Sequence, residues 1–294
     1  MRNVFLSAGF RDFVELVDIL IQLIGETSVF LPDDVISELE RARNEETQSR
    51  AKRIYDVMFE NLELAAERGV PICQDTGIPE FFIRAGEDFP HIGMIEREIR
   101  RATVEATKRI PLRPNAVEDD RNTGDNTGER IPWIDWEIIP EREDAEITLY
   151  LAGGGSSLPG AAKVIPPHSE SIEDIITDRI ARYGANACPP LIVGVGLGAT
   201  AEMAAILSKK ALLRPIGTRT EEEDSMMKRL NALNIGPQGL GGRTTVLDVK
   251  IERSARHPAT LAVGLSTGCW VHRRGTVHIN ADMSFEITSH RRLR

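Results

Sequence analysis

Cysteine is scarce in this chain of 294 residues: Cys73, Cys188 and Cys269 are the three that it has. An odd number at such distant positions does not form a disulfide framework, and it indicates a reducing compartment. Long apolar runs are also missing, since none reaches the roughly 18 residues that a spanning helix needs, and the first residues do not resemble a signal peptide. We therefore expect a soluble, cytoplasmic protein with no membrane partner.

Positive charge and aromatic side chains are in short supply as well. The chain has 36 Lys and Arg against 45 Asp and Glu, a formal net charge of −9, and 5% aromatic residues. General nucleic-acid binders normally carry a basic surplus and stacking platforms. We expect no nucleic-acid partner, and the length is enough to bury one large core or two modest ones.

Hydrophobic periodicity predicts a mixed α/β fold. Its N-terminal third is helical, with helices over 12–26 (Gly25 as the stop), from Pro32-Asp33-Asp34 onward, and over 49–68. Further helices are predicted over 92–109, 169–183, 200–213 and 221–231, and strands over 79–84, 133–139, 145–151, 191–198, 244–251, 260–265 and 276–279. We find no linker, so the prediction is one domain over 1–294, a helical N-terminal layer packed on a mixed-sheet core.

The turn Val70–Gly77 sets a thiol, an amide and a carboxylate side by side, as Cys73, Gln74 and Asp75. By itself it reads as a turn that happens to carry a cysteine. The other two cysteines change that interpretation, because all three lie at breaks between elements, beside Pro or Gly. Buried structural cysteines mostly lie on apolar helix faces, whereas thiols at loop ends can converge on one metal centre.

Two metal centres fit three thiolates. A closed zinc site needs a fourth ligand, which His257 or His272 could supply. An iron–sulfur cube held by three thiolates instead leaves one iron without a protein ligand, and that iron can act as a Lewis acid on a substrate. The run Gly153-Gly154-Gly155 could bring backbone close to a ligand, or could simply end a hairpin.

A dinucleotide fingerprint is also present, as Gly194-x-Gly196-x-x-Ala199 between a strand and a helix. That fingerprint requires a second strand ending in an acidic residue about 20 positions on, to bind the ribose. The loop Arg214–Arg219 and a charged helix follow instead. The nucleotide-binding alternative is therefore disfavoured.

Five motifs together resemble the iron–sulfur hydro-lyases, the class I fumarase and L(+)-tartrate dehydratase family. They are Cys73-Gln74-Asp75-Thr76-Gly77, Gly153-Gly154-Gly155-Ser156, Ala187-Cys188-Pro189-Pro190, Leu212-Leu213-Arg214-Pro215-Ile216-Gly217 and Gly239-Leu240-Gly241-Gly242. The resemblance covers about residues 35–282. It implies a 4Fe-4S cluster whose metal ligands are Cys73, Cys188 and Cys269.

The resemblance also implies a small dicarboxylate substrate and a set of site residues. Substrate contacts fall on Gln74, Asp75, Arg113 and Gly155, and catalytic roles fall on Asp75 and His257. Two features depart from the family. Ala152 and Ser157-Leu158 replace the Lys and the Glu-Asn or Ala-Asn that flank the glycines in many members, which bears on the substrate. The chain also stops where single-chain members continue into a second domain.

That last feature resembles the split members, in which a separate beta subunit completes the site. The function expected from the resemblance is therefore the alpha subunit of a fumarate hydratase, paired with a beta subunit as a heterodimer or heterotetramer. An L(+)-tartrate dehydratase alpha subunit is the alternative within the family. Outside it, a nucleotide-binding protein and a zinc-stabilised non-catalytic subunit remain open.

Overall fold

The computed structural model describes residues 15–290 and divides them into two compact units. Unit 1 takes the described residues up to Asp33, then Asn61–Ala152 and the residues from Arg273 onward, whereas unit 2 takes Asp34–Glu60 and Gly153–His272. The single domain expected over 1–294 stays a prediction, because each unit is built from separate stretches of chain.

Helices and strands alternate irregularly along the chain, which confirms the mixed α/β fold. The helices are α1 Leu16–Val29, α2 Asp33–Glu45, α3 Ser49–Arg68, α4 Ile95–Arg109, α5 Ile172–Tyr183, α6 Ala201–Leu213 and α7 Glu221–Asn231. The strands are β1 Ile78–Gly86, β2 Val117–Glu118, β3 Arg121–Asn122, β4 Trp133–Ile139, β5 Ala145–Ala152, β6 Ala161–Ile165, β7 Leu191–Gly198, β8 Val246–Arg253, β9 Leu261–Gly268, β10 Arg274–Ile279 and β11 Phe285–Ile287. In the part of the chain that is described, no helix is both long enough and apolar enough to cross a bilayer.

Unit 1 is built on a five-stranded sheet in the order β11-β10-β5-β1-β4. Alternate residues of β1 and β5, such as Phe81, Ile83, Ile147 and Leu149, form one core with the apolar faces of α1 and α4. The predicted stop of α1 at Gly25 is wrong, since the helix continues to Val29. Burial of almost every α1 side chain offsets the roughly 1 kcal/mol that an internal glycine costs. Residues 12–14 of that prediction lie outside the described residues.

Unit 2 is built on a four-stranded sheet in the order β6-β9-β7-β8, with β7 parallel to β8 and antiparallel to β9. Helix α6 packs directly on β7 and β9. A Cβ added at Gly196 would lie 2.0 Å from the Ala204 carbonyl oxygen, and one at Gly194 would lie 2.2 Å from that of Ser208. Close packing of helix on strand thus explains the glycines that resemble a dinucleotide fingerprint.

A buried ionic network anchors the loop between α6 and α7 in unit 2. Lys250 and Asp248 are fully buried and lie 3.3 Å apart, and Asp248 Oδ2 also accepts the N–H of Gly217 at 2.6 Å. Arg214 donates to buried Glu223 at 2.9 Å. The charges of this network are paired within the unit, so it supports the fold without an external ligand.

Candidate metal centre and substrate site

The first cysteine, Cys73, lies in the short connection between α3 and β1, as predicted. The N–H of Ile72 donates to the Ser28 carbonyl at the end of α1 at 3.1 Å, and the Ile72 carbonyl accepts from Asn61 Nδ2 at 2.9 Å. These bonds fix the peptide just before Cys73. Cys73 is half-buried and Gln74 is exposed, so both side chains are accessible.

Asp75 caps this turn with one carboxylate oxygen. Its Oδ1 accepts the N–H of Gly77 at 3.0 Å. Gly77 has φ +82°, and a Cβ there would lie 2.9 Å from the Leu151 carbonyl carbon, so this position requires glycine. The half-buried Asp75 carboxylate is therefore held in one orientation beside the cysteine.

Arg113 is positioned through its backbone by two polar side chains that sequence reasoning missed. Its N–H donates to Thr76 Oγ1 at 3.1 Å, and its carbonyl accepts from buried Asn126 Nδ2 at 3.1 Å. Asn126 Oδ1 in turn accepts the N–H of Asn115 at 2.9 Å. The guanidinium itself is exposed. This places Arg113 and the Cys73–Gly77 turn next to each other, because Thr76 belongs to that turn.

The glycine run begins the second stretch of unit 2 and leads into a short 3-10 helix, Gly155–Ser157. The hydroxyls of Ser156 and Ser157 both donate to the Gly153 carbonyl at 3.0 Å. Gly155 is exposed, and a Cβ added there would lie 3.8 Å from the Asn186 carbonyl oxygen. The run is therefore an ordered loop beside the segment that leads into Cys188.

The second and third cysteines come together in unit 2. The N–H of Trp270, directly after Cys269, donates to the Cys188 carbonyl at 3.2 Å. Thr267 Oγ1 donates to the Ser156 carbonyl, which joins the glycine run to the strand that precedes Cys269. Cys188 is exposed and has left-handed backbone angles, φ 55° and ψ 63°. The glycine run, Cys188 and Cys269 thus form one half-site.

The two candidate histidines are not part of this half-site. His272 contacts the end of α6, and His257 lies at the far end of β9. His272 is 1% exposed, and its Nε2 lies 2.9 Å from the Leu212 carbonyl at the end of α6. His257 is exposed on the connection between β8 and β9, where its Nδ1 accepts the N–H of Ala259 at 3.2 Å. The eight residues of β9 separate it from Cys269, a distance of about 26 Å at 3.3 Å per residue. Unit 2 does not bring His257 to Cys269.

The donor set suits a cluster better than a single ion. Over residues 15–290, no group of three or more His, Cys, Asp and Glu side chains is spaced to hold one metal ion. Ligands of an iron–sulfur cube each bind a different iron, so their sulfurs need not converge on one point. The Cys188 and Cys269 thiols, on ordered loops of unit 2, fit ligation of this kind.

Comparison with known proteins gives the family. The family model described as fumarate hydratase (fumerase) matches residues 17–278. The chain belongs to the fumarate hydratase family. It is 46% identical over 288 residues to the L(+)-tartrate dehydratase subunit alpha of Escherichia coli K12, covering 95% of each chain. It is 36% identical to a putative L(+)-tartrate dehydratase subunit alpha of Methanocaldococcus jannaschii, over 92% of this chain and 99% of that one.

Membership in the fumarate hydratase family confirms the resemblance read from the cysteine and glycine motifs. The protein is an enzyme, a hydro-lyase of the carbon–oxygen lyase class. The roles of individual residues, including the three thiol ligands, stay predictions.

Proposed function

We propose that this protein is the alpha subunit of an iron–sulfur dehydratase of a four-carbon dicarboxylate, with L(+)-tartrate as the substrate. The observation that carries the proposal is the hydrogen bond that joins the Cys188 and Cys269 loops, next to the glycine run. The 46% identity to an L(+)-tartrate dehydratase alpha subunit over 95% of both chains supports the choice of substrate. Fumarate is the second candidate, because the family model that matches is that of fumarate hydratase.

Cys73, Cys188 and Cys269 would hold a 4Fe-4S cluster. Its open iron would supply Lewis-acid chemistry that weakens the carbon–oxygen bond of the substrate. The chain's own residues do the remaining work. Arg113 binds one carboxylate with charge-assisted hydrogen bonds, Gln74 and the Gly155 backbone orient it, and Asp75 holds or moves a proton beside the turn. Reduced thiols suit this chemistry and support a cytoplasmic location.

A dicarboxylate has two charged ends, and leaving one without a cation in a water-poor site is costly. Of the arginines near the recognised motifs, Arg214 is already paired with Glu223. We therefore expect a beta subunit to supply the second cation and the partner acid or base, in a heterodimer or heterotetramer. The subunit names of the relatives agree with such a division.

A substrate panel tests the proposal. The chain is purified anaerobically alone and with the beta-type subunit from the same organism, and product formation is measured from L(+)-tartrate, meso-tartrate, malate and fumarate. We expect turnover only with the pair, fastest on L(+)-tartrate. A preference for fumarate or malate would select the second candidate, and robust turnover by the chain alone would overturn the divided site. Iron and sulfide analysis, at about four of each per chain, tests the cluster separately.

A further inference from the structure

Arg273 directly precedes β10 in unit 1 and is a buried arginine, 2% exposed. Its Nε–H and Nη1–H are enclosed and find no hydrogen-bond acceptor among residues 15–290. Arginine stays charged in proteins, and a buried charge without a partner is strongly unfavourable. Such a group calls for a specific explanation.

The register of the sheet places Arg273 close to the first cysteine turn. The Leu151 N–H donates to the Arg273 carbonyl at 3.0 Å, and Leu151 pairs with Pro79 on the next strand. Neighbouring strands lie about 4.8 Å apart, so the Arg273 backbone is about 10 Å from that of Pro79. Pro79 is two residues beyond Gly77, the end of the cysteine turn.

The side chain of Arg273 also points to the face on which that turn lies. Residues directly opposite on antiparallel strands project to the same face, so Arg273 follows Leu151 toward the core under α1. Gly275 confirms how close α1 comes here, since a Cβ added to it would lie 2.0 Å from Thr27 Oγ1. The next residue of α1, Ser28, accepts the N–H of Ile72, which precedes Cys73.

Two other arginines of the chain, Arg219 and Arg214, have carboxylate partners. Arg219 lies within 4 Å of both Glu38 and Asp248, and Arg214 bonds to Glu223. Among residues 15–290 Arg273 has no such partner, so its partner is an anion from outside this part of the chain. Because two of its N–H groups are enclosed, a group assembled as part of the fold reaches them more readily than a substrate that diffuses in from solvent.

We propose that Arg273 is a positioning residue for the cluster, donating hydrogen bonds to sulfur at the Cys73 corner, either the thiolate or an adjacent sulfide. This inference rests on the cluster-binding function proposed above. A cube with three thiolate ligands is anionic, and hydrogen bonds and charge at its sulfurs stabilise it and set its potential. The guanidinium is thus an unpaired charge in the cluster-free chain and a paired one in the loaded enzyme.

The test uses R273M, which keeps an unbranched side chain without charge, and R273K, which keeps the charge with different donors. Thermal midpoints are measured without cluster, and iron, sulfide and the rate of cluster loss to a chelator are measured after reconstitution. We expect R273M to raise the midpoint of the cluster-free chain and to lose its cluster at least about 10-fold faster, the size of other outer-shell effects. R273K is expected to fall between R273M and wild type in the rate of loss.

R214M is the matched control, because that arginine has its carboxylate partner within the chain. It should lower the midpoint of both the cluster-free and the loaded protein, leaving Glu223 buried without its cation. For R273M, a lower cluster-free midpoint with wild-type cluster loss would make Arg273 merely structural and overturn the inference. Wild-type cluster loss with a KM raised at least 10-fold would assign Arg273 to a substrate carboxylate, which also overturns it. A wild-type chain that binds no iron would instead refute the proposed function, and this inference with it.

Discussion

At the scale of single residues, Cys188 carries a conformational cost that its role can explain. A side-chain-bearing residue pays about 1–2 kcal/mol in the left-handed region, where glycine pays almost nothing. The 3-10 helix Gly184–Ala187 ends on this residue, a position at which glycine would be easier to accommodate. A cysteine that lowers stability through its backbone angles, on an exposed loop, is consistent with a metal ligand and is hard to explain by packing.

We predict that Cys188→Gly makes the cluster-free chain more stable than Cys188→Ala does, by about 1 kcal/mol in the free energy of unfolding. Alanine keeps the backbone strain while removing the thiol, so the pair separates conformation from ligation. Both variants should fail to assemble the cluster. Urea denaturation under anaerobic conditions measures the difference, and an alanine variant as stable as the glycine one would show that the strain is absent.

Glu223 gives a second prediction at this scale, one that depends on pH. Burial raises the pKa of its carboxyl. The N–H groups of Thr220 and Ile251 and then the charge of Arg214 together lower that pKa by more, so the net shift is downward. A folded-state pKa below the unfolded value means that the stabilisation is present above the unfolded pKa of about 4.3 and is lost as pH falls. Glu223→Gln should therefore lower the free energy of unfolding by about 2–3 kcal/mol at pH 7.

The neighbouring Glu222 is the control for that substitution. Its ion pair with Arg253 is half-exposed on both sides, so Glu222→Gln should cost no more than about 0.5 kcal/mol. Chemical denaturation at pH 7 and in steps down to about pH 3, below the unfolded pKa of glutamate, follows both variants. The gap between wild type and Glu223→Gln should shrink as pH falls, and a gap independent of pH would mean that the charge of Glu223 contributes nothing.

At the scale of elements, the sequence pattern was enough to predict α3, β4, β7 and α7 to their observed ends. β6 and β11 were not predicted. β6 has a mostly exposed pattern with one buried residue, and β11 has three residues, so neither shows the alternation that marks a half-buried strand. The β6 residues adopt strand structure because they pair with β9 in the antiparallel direction.

The candidate site likewise has one part that could be predicted from the sequence and one part that could not. The cysteine loops and the glycine run could be predicted, because thiols beside Pro and Gly at element breaks leave a trace in the sequence. The side chains that fix Arg113 could not. Thr76 meets Arg113 across 37 residues and Asn126 reaches it across 13, and such pairs are set by tertiary structure. The one signal was the density of turn formers around Asn122–Thr127.

This loop supports a third prediction, that Asn126→Ala weakens substrate binding without loss of the cluster. Removing this buried amide takes away one of the two donors to the Arg113 carbonyl and leaves the Asn115 N–H without its acceptor, at a cost of about 1–3 kcal/mol. If loss of these hydrogen bonds displaces Arg113, KM should rise about 10-fold while iron content stays at the wild-type value. Steady-state kinetics on the reconstituted pair measures this.

Asn122→Ala is the matched control, because Asn122 lies four residues before Asn126 and its hydrogen bond, to the Pro114 carbonyl, is exposed to solvent. It should leave KM within about twofold of wild type, since exposed hydrogen bonds exchange with water at little cost. A normal KM in Asn126→Ala would show that Arg113 is positioned independently of this network, or that it does not bind substrate.

At the scale of the whole molecule, the position of His257 decides how a catalytic role for it can be realised. Family resemblance assigns it to the reaction, yet β9 holds it about 26 Å from Cys269 within unit 2. A side chain spans a small fraction of that distance. If His257 takes part in the chemistry, the cluster that it serves must belong to a second copy of the chain, with each copy lending its histidine to the other.

Complementation tests this arrangement. His257→Ala chains lack the histidine but can bind a cluster, and Cys269→Ser chains lack the cluster but keep the histidine. Each variant should be inactive when paired with the beta subunit. Co-expression of the two should restore about a quarter of wild-type activity, because random assortment makes half the dimers mixed and each mixed dimer has one complete site. Activity of tagged mixed complexes, purified through one tag on each chain, measures it directly. No recovery in mixed complexes would place the histidine and cluster in one chain, and full activity of His257→Ala alone would remove His257 from the reaction.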